Sequence, residues 1–283
     1  MADLTEAEVV SELAFDALRP VALDAGKHYV FRGVDGDLVD RDLTGQMPAR
    51  KTGTVTVTDV ASFAVYWDKH HDHNSEIYAS ADDSTITAVL DAHNAAGARY
   101  QQHRLVLELV TTPSWDAWTQ YDGKIRGQQD FAEFLEDHYA DLAGSSEVIN
   151  MPYGTVKNVS AATFLEIAQH LTASTKAVFE RGEKISNGAL KFAYKEDVEV
   201  RGGSKGELEV PTVFLLAIKP YEDCDDTTRI VARLRTRTSR EVGMNIGYFL
   251  LDPGQVKRDA FSHVVGKVED VTGSVIMRGT SSD

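Results

Sequence analysis

The segment Val210–Leu251, VPTVFLLAIKPYEDCDDTTRIVARLRTRTSREVGMNIGYFLL, decides the fold class. It reads as three β-strands in a row. The middle one places Arg229, Val231, Arg233, Arg235 and Arg237 on one side and Ile230, Ala232 and Leu234 on the other. Alternate side chains of a strand share a face and recur at about 7 Å, so one face belongs to the core and the other is a row of guanidiniums. Arginine grips phosphate bidentately, and a row at that pitch matches a phosphate backbone. Carboxylates of neighbouring strands match it as well. Glu207 and Glu209, or Lys195, Asp197 and Glu199, alternate in the candidate strands just upstream and are expected to sit opposite the arginines. Charge balance favours the carboxylates: 44 acidic against 29 basic side chains give a formal net charge of −15. A field of that sign repels nucleic acid and anionic lipid.

Downstream, Asp252, Pro253 and Gln255 read as N-cap, first-turn proline and box partner of a last helix. Its apolar stripe runs Val256, Ala260, Val264, Val268, Val271; Gly273 ends it, and a short strand Ser274–Met277 follows. Upstream, Leu190–Val200 reads as a strand, followed by the glycine-rich loop Arg201–Gly206. That loop lacks the GxxxxGK[ST] spacing of a phosphate loop and is expected to join two strands. Ser160 opens a helix through Phe164 and Leu171 toward Phe179.

The first half alternates in the same way. Thr5 and Glu8 form a capping box before an amphipathic helix ending at Arg19-Pro20. His28–Arg32 and Asp37–Arg41 flank an Asp-Gly turn as a hairpin. Thr54–Thr58 is a strand, Asp59 caps a helix with Phe63, Tyr66 and Trp67, and Glu76–Ser80 with Thr85–Leu90 makes a second hairpin. Arg104–Val110 is the best strand of this half, giving it a sheet of its own. Trp115 and Trp118 stand at helical spacing, and Gln128–Leu142 forms a helix with Phe131, Phe134, Leu135 and His138 on one face. Residues 146–158 hold Ser, Pro and Gly with little periodicity. They are taken as a linker between an N-terminal lobe, 1–145, and a C-terminal lobe, 159–283. The fold class is α+β, with mainly antiparallel mixed sheets, packed helices and two lobes.

Linear signatures of catalysis are absent. Cys224 is the single cysteine, so no intrachain disulfide forms, and Glu222, Asp223, Asp225 and Asp226 around it raise its thiol pKa. His70, His71, Asp72 and His73, with Asp82, Asp83, Asp91 or His93, offer metal-ligand types without an established zinc spacing. A solvated helix end with histidines favouring its dipole explains them more simply. Trp115, Trp118 and Tyr121 are read as core rather than a base-stacking platform. No catalytic residue, cofactor or metal ligand is assigned, and the protein is expected not to be an enzyme. The N-terminus lacks the basic start and apolar core of a signal peptide, and no apolar run approaches the ~18 residues of a membrane span. A cytosolic protein without membrane contact is expected.

At SFAVYW (62–67), the hairpin up to Leu90, SWDAW (114–118), Asp122-Gly123 and QDFAEFLED (129–137), the chain resembles the YfdQ-like family of uncharacterised phage and prophage proteins, domain of unknown function 2303. The strands and helix from Val210 to Gly273 resemble that family's C-terminal half. The resemblance implies a bacteriophage or prophage origin and expression in the bacterial host cytoplasm, with no catalytic residues to carry over. Some members are encoded near phage exonuclease and recombination genes.

The expected function is a non-catalytic protein that self-assembles into a homo-oligomer, a ring or a small capsid-like shell, placing it in a virus-like particle. Arg229, Arg233, Arg235 and Arg237 are its candidate interface. The alternative is an accessory DNA-binding factor in phage recombination or replication, with the same four arginines facing nucleic acid. A metal-dependent enzyme using the His70 to His73 segment ranks third.

Overall fold

The computed structural model describes residues 21–24, 28–32, 37–42, 50–144, 148–151, 154–165, 167, 177–179, 183–184, 190–196, 205–239 and 243–281. The chain divides into two compact units, Met1–Gly53 and Thr54–Asp283. In the first, β1 (Val21–Asp24), β2 (His28–Arg32) and β3 (Leu38–Asp42) form an antiparallel meander. The expected antiparallel pairing of these two runs is therefore present, with one more strand beside it, and the Asp-Gly turn itself lies outside the described residues. The helix expected over Thr5–Leu18 lies outside the described residues.

The second unit holds two principal sheets, each backed by helices. The first has strand order β18-β5-β6-β7-β4, made of β4 (Gly53–Val57), β5 (Glu76–Ser80), β6 (Thr85–Val89), β7 (His103–Glu108) and β18 (Ile276–Arg278). Period-two alternation sends Ile77, Ala79, Ile86, Ala88, Leu105, Leu107 and Ile276 to one face. There they pack on α1 (Val60–His70) through Phe63 and Trp67, and on α4 (Pro253–Thr272) through Phe261, Val264, Val265 and Val268. Burying each such aliphatic side chain contributes about 1.5–3 kcal/mol. α1 begins at Asp59, whose Oδ1 accepts the Ser62 N–H at 2.7 Å. That bond holds the Asp59 carboxyl below its ordinary pKa. Asp59→Ala is expected to cost about 1 kcal/mol in denaturant titration. The difference from wild type should be present above the unfolded carboxylate pKa and shrink as acid titrates the folded one.

The second sheet has order β15-β16-β17-β8 and is antiparallel throughout: β15 (Val213–Ile218), β16 (Thr228–Ser239), β17 (Gly243–Leu250) and β8 (Ile125–Gly127). These are the three strands expected from Val210–Leu251, joined by a short strand from far upstream. One face carries Phe214, Leu216, Ile230, Ala232, Leu234, Ile246, Tyr248 and Leu250, buried against α2 (Pro113–Gln120) and α3 (Gln128–Asp137). Trp115 and Trp118 are both buried there, as core.

A third pairing joins β11 (Ala177–Phe179), β12 (Glu183–Lys184), β13 (Leu190–Glu196) and β14 (Lys205–Val210), in which β13 and β14 are antiparallel neighbours. Lys205 of the expected loop thus already belongs to a strand. Residues 197–204 lie outside the described set.

Several expectations are corrected. Within the stretch 146–158 taken as a linker, β9 (Val148–Met151) and β10 (Gly154–Lys157) pair antiparallel, and their Ile149, Met151 and Val156 pack with Val213 and Leu215. Asn158 secures it, since its Oδ1 accepts the Leu215 N–H and its Nδ2 donates to the Gly144 carbonyl, both at 3.1 Å. The halves of the chain also exchange elements. β18 pairs in parallel with β5, and β8 pairs with β17, so the sheet of the first half is not its own. The helix after Gln128 stops at Asp137, and Tyr139–Asp141 forms a 3-10 turn. Phe179 is in β11 rather than a helix. Asp252 adopts φ 51° and makes no side-chain cap, so α4 starts from a left-handed residue instead of a capping box. Gly273 ends α4 at φ 62°, as a left-handed C-cap requires. Among the described residues no helix is long and apolar enough to cross a membrane.

Candidate functional site

β16 is an inner strand of its sheet, and both neighbours are identified by register. Opposite Arg233 and Arg229 on β15 stand Val213 and Ala217. Opposite Arg233, Arg235 and Arg237 on β17 stand Phe249, Gly247 and Asn245. No position directly across from an arginine carries a carboxylate. The expected cross-strand pairs with Glu207 and Glu209 do not form by register, because β14 pairs with β13: Glu207 lies opposite Ala193 and Glu209 opposite Lys191. Arg235 and Arg237 are exposed, Arg233 is half-buried, and none of these three forms an ion pair with another described residue. The Nε of Arg233 is buried without a hydrogen-bond partner. Leaving such a donor unmet costs about 1–3 kcal/mol.

The arginine face has two parts. Toward β15 it is apolar, and the β9–β10 hairpin covers Val213, Leu215 and Val231. Toward β17 it is open. Gly247 across from Arg235 is buried under the Lys124–Ile125 backbone, while the Arg235 guanidinium carbon lies 6.0 Å from the ring centre of Phe249, which is 43% exposed. The open part is therefore a cationic strand beside an exposed aromatic ring, suited to carboxylate or phosphate groups.

Arg126 on β8 behaves differently, and its role was invisible in sequence. It opposes Ile246 on the core face, and its guanidinium carbon lies 3.1 Å from the Tyr121 ring centre and 4.7 Å from that of Phe134. This is a cation held among aromatic faces inside the fold. Burial pushes the neighbouring Tyr248 hydroxyl well up from its ordinary pKa, and that hydroxyl donates to the Trp118 carbonyl at 2.7 Å.

The histidine segment disperses into local contacts. His71 stacks on Trp67 at 4.8 Å and its Nδ1 lies 2.8 Å from the Trp67 carbonyl. Asp72 pairs with Arg99 at 2.7 Å, and His73 contacts Asn74. His70 instead joins Tyr66 and His103, with Tyr66 Oη 2.9 Å from His103 Nε2. His93 Nδ1 accepts the Arg99 N–H, and Asp91 accepts the N–H groups of Gln102 and His103. Among the described residues no three His, Cys, Asp or Glu side chains converge as ligands. Cys224 is buried, and its thiol pKa is raised first by that burial. Lys267 and Lys219 act against the rise and Asp223 adds to it, so surrounding carboxylates are a minor cause.

A family model described as "Uncharacterized conserved protein (DUF2303)" matches residues 14–281. No curated protein and no solved structure matches the chain.

Proposed function

We propose that this chain, which belongs to the uncharacterised conserved family DUF2303, is a non-catalytic protein that self-assembles into a homo-oligomer, a ring or a small capsid-like shell. The observation that carries this reading is the open arginine face. Exposed Arg235 and Arg237 have no carboxylate at the register positions across from them, in a chain with 15 more acidic than basic side chains. Acidic surface of a second copy is the most abundant complement, and a guanidinium–carboxylate contact there orients the copies as well as attracting them. On the same reading the family likeness extends to YfdQ-like proteins of phage and prophage, acting in the bacterial host cytoplasm or within a virus-like particle.

Sedimentation velocity tests the assembly. At low salt the protein should sediment well above the 31.1 kDa of one chain. Arg235→Glu/Arg237→Glu should release monomers without changing the circular dichroism spectrum. A wild-type monomer at low salt, or a charge-reversed variant that assembles normally, sinks the proposal.

One observation favours a second reading, an accessory factor in phage DNA recombination or replication. Phe249 lies exposed beside Arg235 on an antiparallel sheet, and base stacking on such a ring contributes about 1–3 kcal/mol per base. Fluorescence anisotropy with single-stranded DNA decides it: binding lost in Phe249→Ala and weakened by salt supports DNA, and no binding at low salt ends the idea.

A further inference from the structure

A cleft lined by two arginines and one aspartate lies beside the other sheet. β18 runs parallel to β5 with Arg278 beside Ala79, and the Gly279 N–H donates to the Ala79 carbonyl at 2.9 Å. Strand alternation puts Arg278 on the same face as buried Ile276, the face that α4 covers. Arg278 lines a cleft of about 450 Å³. Its remaining walls are Ser80, Ala81 and Asp82 from the turn after β5, and Arg258, Phe261 and Ser262 from α4.

Arg258 of α4 and Arg278 of β18 come from separate elements and both line this cleft. Arg258 is oriented by an amide relay: Gln255 Nε2 donates to Asp259 at 2.7 Å, which turns Gln255 Oε1 toward Arg258 Nη2 at 2.8 Å. Neither Arg258 nor Arg278 forms an ion pair with another described residue, although Asp82 lines the same cleft. Ser80 is engaged with Asp83 at 2.6 Å. The volume falls within the range of about 300–1,000 Å³ typical of small-molecule pockets.

We propose that this cleft binds a phosphate monoester, with Arg258 and Arg278 on the phosphate and Asp82 accepting a hydroxyl of the organic part. The chain's net negative field disfavours loosely held anions, so recognition rests on the two arginines lining the cleft, whose forks fit phosphate oxygens bidentately. Asp82 repels the phosphate and attracts a donor next to it, which discriminates a hydroxyl-bearing ester from inorganic phosphate.

Calorimetric titration of the full chain with AMP, inorganic phosphate and adenosine tests the site. AMP should bind more tightly than phosphate, and adenosine should not bind. Arg258→Gln and Arg278→Gln should each weaken AMP by about tenfold, the equivalent of one charge-assisted contact. Asp82→Asn should tighten phosphate and erase the preference for AMP. Arg235→Gln/Arg237→Gln, on the other sheet, should leave AMP binding intact, so this outcome is independent of the assembly proposal. Failure of AMP and phosphate to bind, or unchanged AMP binding in both cleft variants, overturns the site.

Discussion

Trp118→Ala is expected to destabilise the Thr54–Asp283 unit by about 3–5 kcal/mol, the range for deleting a large buried aromatic. Trp118 is fully buried and lies 4.8 Å from Phe134, 5.1 Å from Tyr248 and 5.9 Å from Phe214 between ring centres. Its Nε1 also donates to Asp141 at 2.8 Å, and Asp141 accepts Ser114 Oγ on its other oxygen. Truncation leaves a cavity beneath β16 and β17 and removes one hydrogen bond from that carboxylate. Trp118→Phe keeps most of the packing and loses the bond, so a cost of about 1–2 kcal/mol is expected. Urea titration read by circular dichroism distinguishes them. Equal midpoints for wild type and Trp118→Ala contradict the view that this aromatic cluster anchors the sheet.

Gly247→Ala should act where β8 joins β17. A Cβ built at Gly247 meets the Lys124 carbonyl oxygen at 2.5 Å and the Ile125 Cα at 3.1 Å, both backbone atoms with little room to yield. The added methyl therefore pushes β8 off the sheet, at a cost of about 1–3 kcal/mol for overpacking. Hydrogen exchange is the sensitive readout, because β8 pairs Ile125 with Gly247 and Gly127 with Asn245. Amides shared by β8 and β17 should lose protection while those between β15 and β16 keep theirs. Retained protection along β8 contradicts the prediction. Displacing β8 also shifts Arg126 away from Tyr121 and Phe134, so aromatic near-ultraviolet dichroism should change.

The arginine row shows how far residue order carries. Alternation in Arg229–Arg237 was sufficient to assign β16 and its core face, and Ile230, Ala232 and Leu234 are buried there. Which strands flank it was not encoded locally. The acidic strand nearest in sequence, β14, pairs backward with β13, and the inner strand of the arginine sheet instead faces Val213, Gly247 and Phe249. The cleft left still less trace, because Arg258 and Arg278 lie 20 positions apart among ordinary surface residues and line one cleft only once β18 pairs with β5 and α4 packs on that sheet. Residues 146–158 misled in the opposite direction: Ser, Pro and Gly suggested a linker, while Ile149, Met151 and Val156 were already spaced to bury one side of a hairpin.

Periodicity and capping chemistry act within a few residues of one another. They account for the strands at 54–57, 103–108 and 213–250, for the Asp59 cap and for the glycine stop at Gly273. The exchange of β8 and β18 between halves, the covering hairpin, the open half of the arginine face and the two arginines lining the cleft depend on which apolar faces find each other across the chain. That choice is made by burial of whole surfaces, a non-directional force that leaves no mark at the residues it brings together.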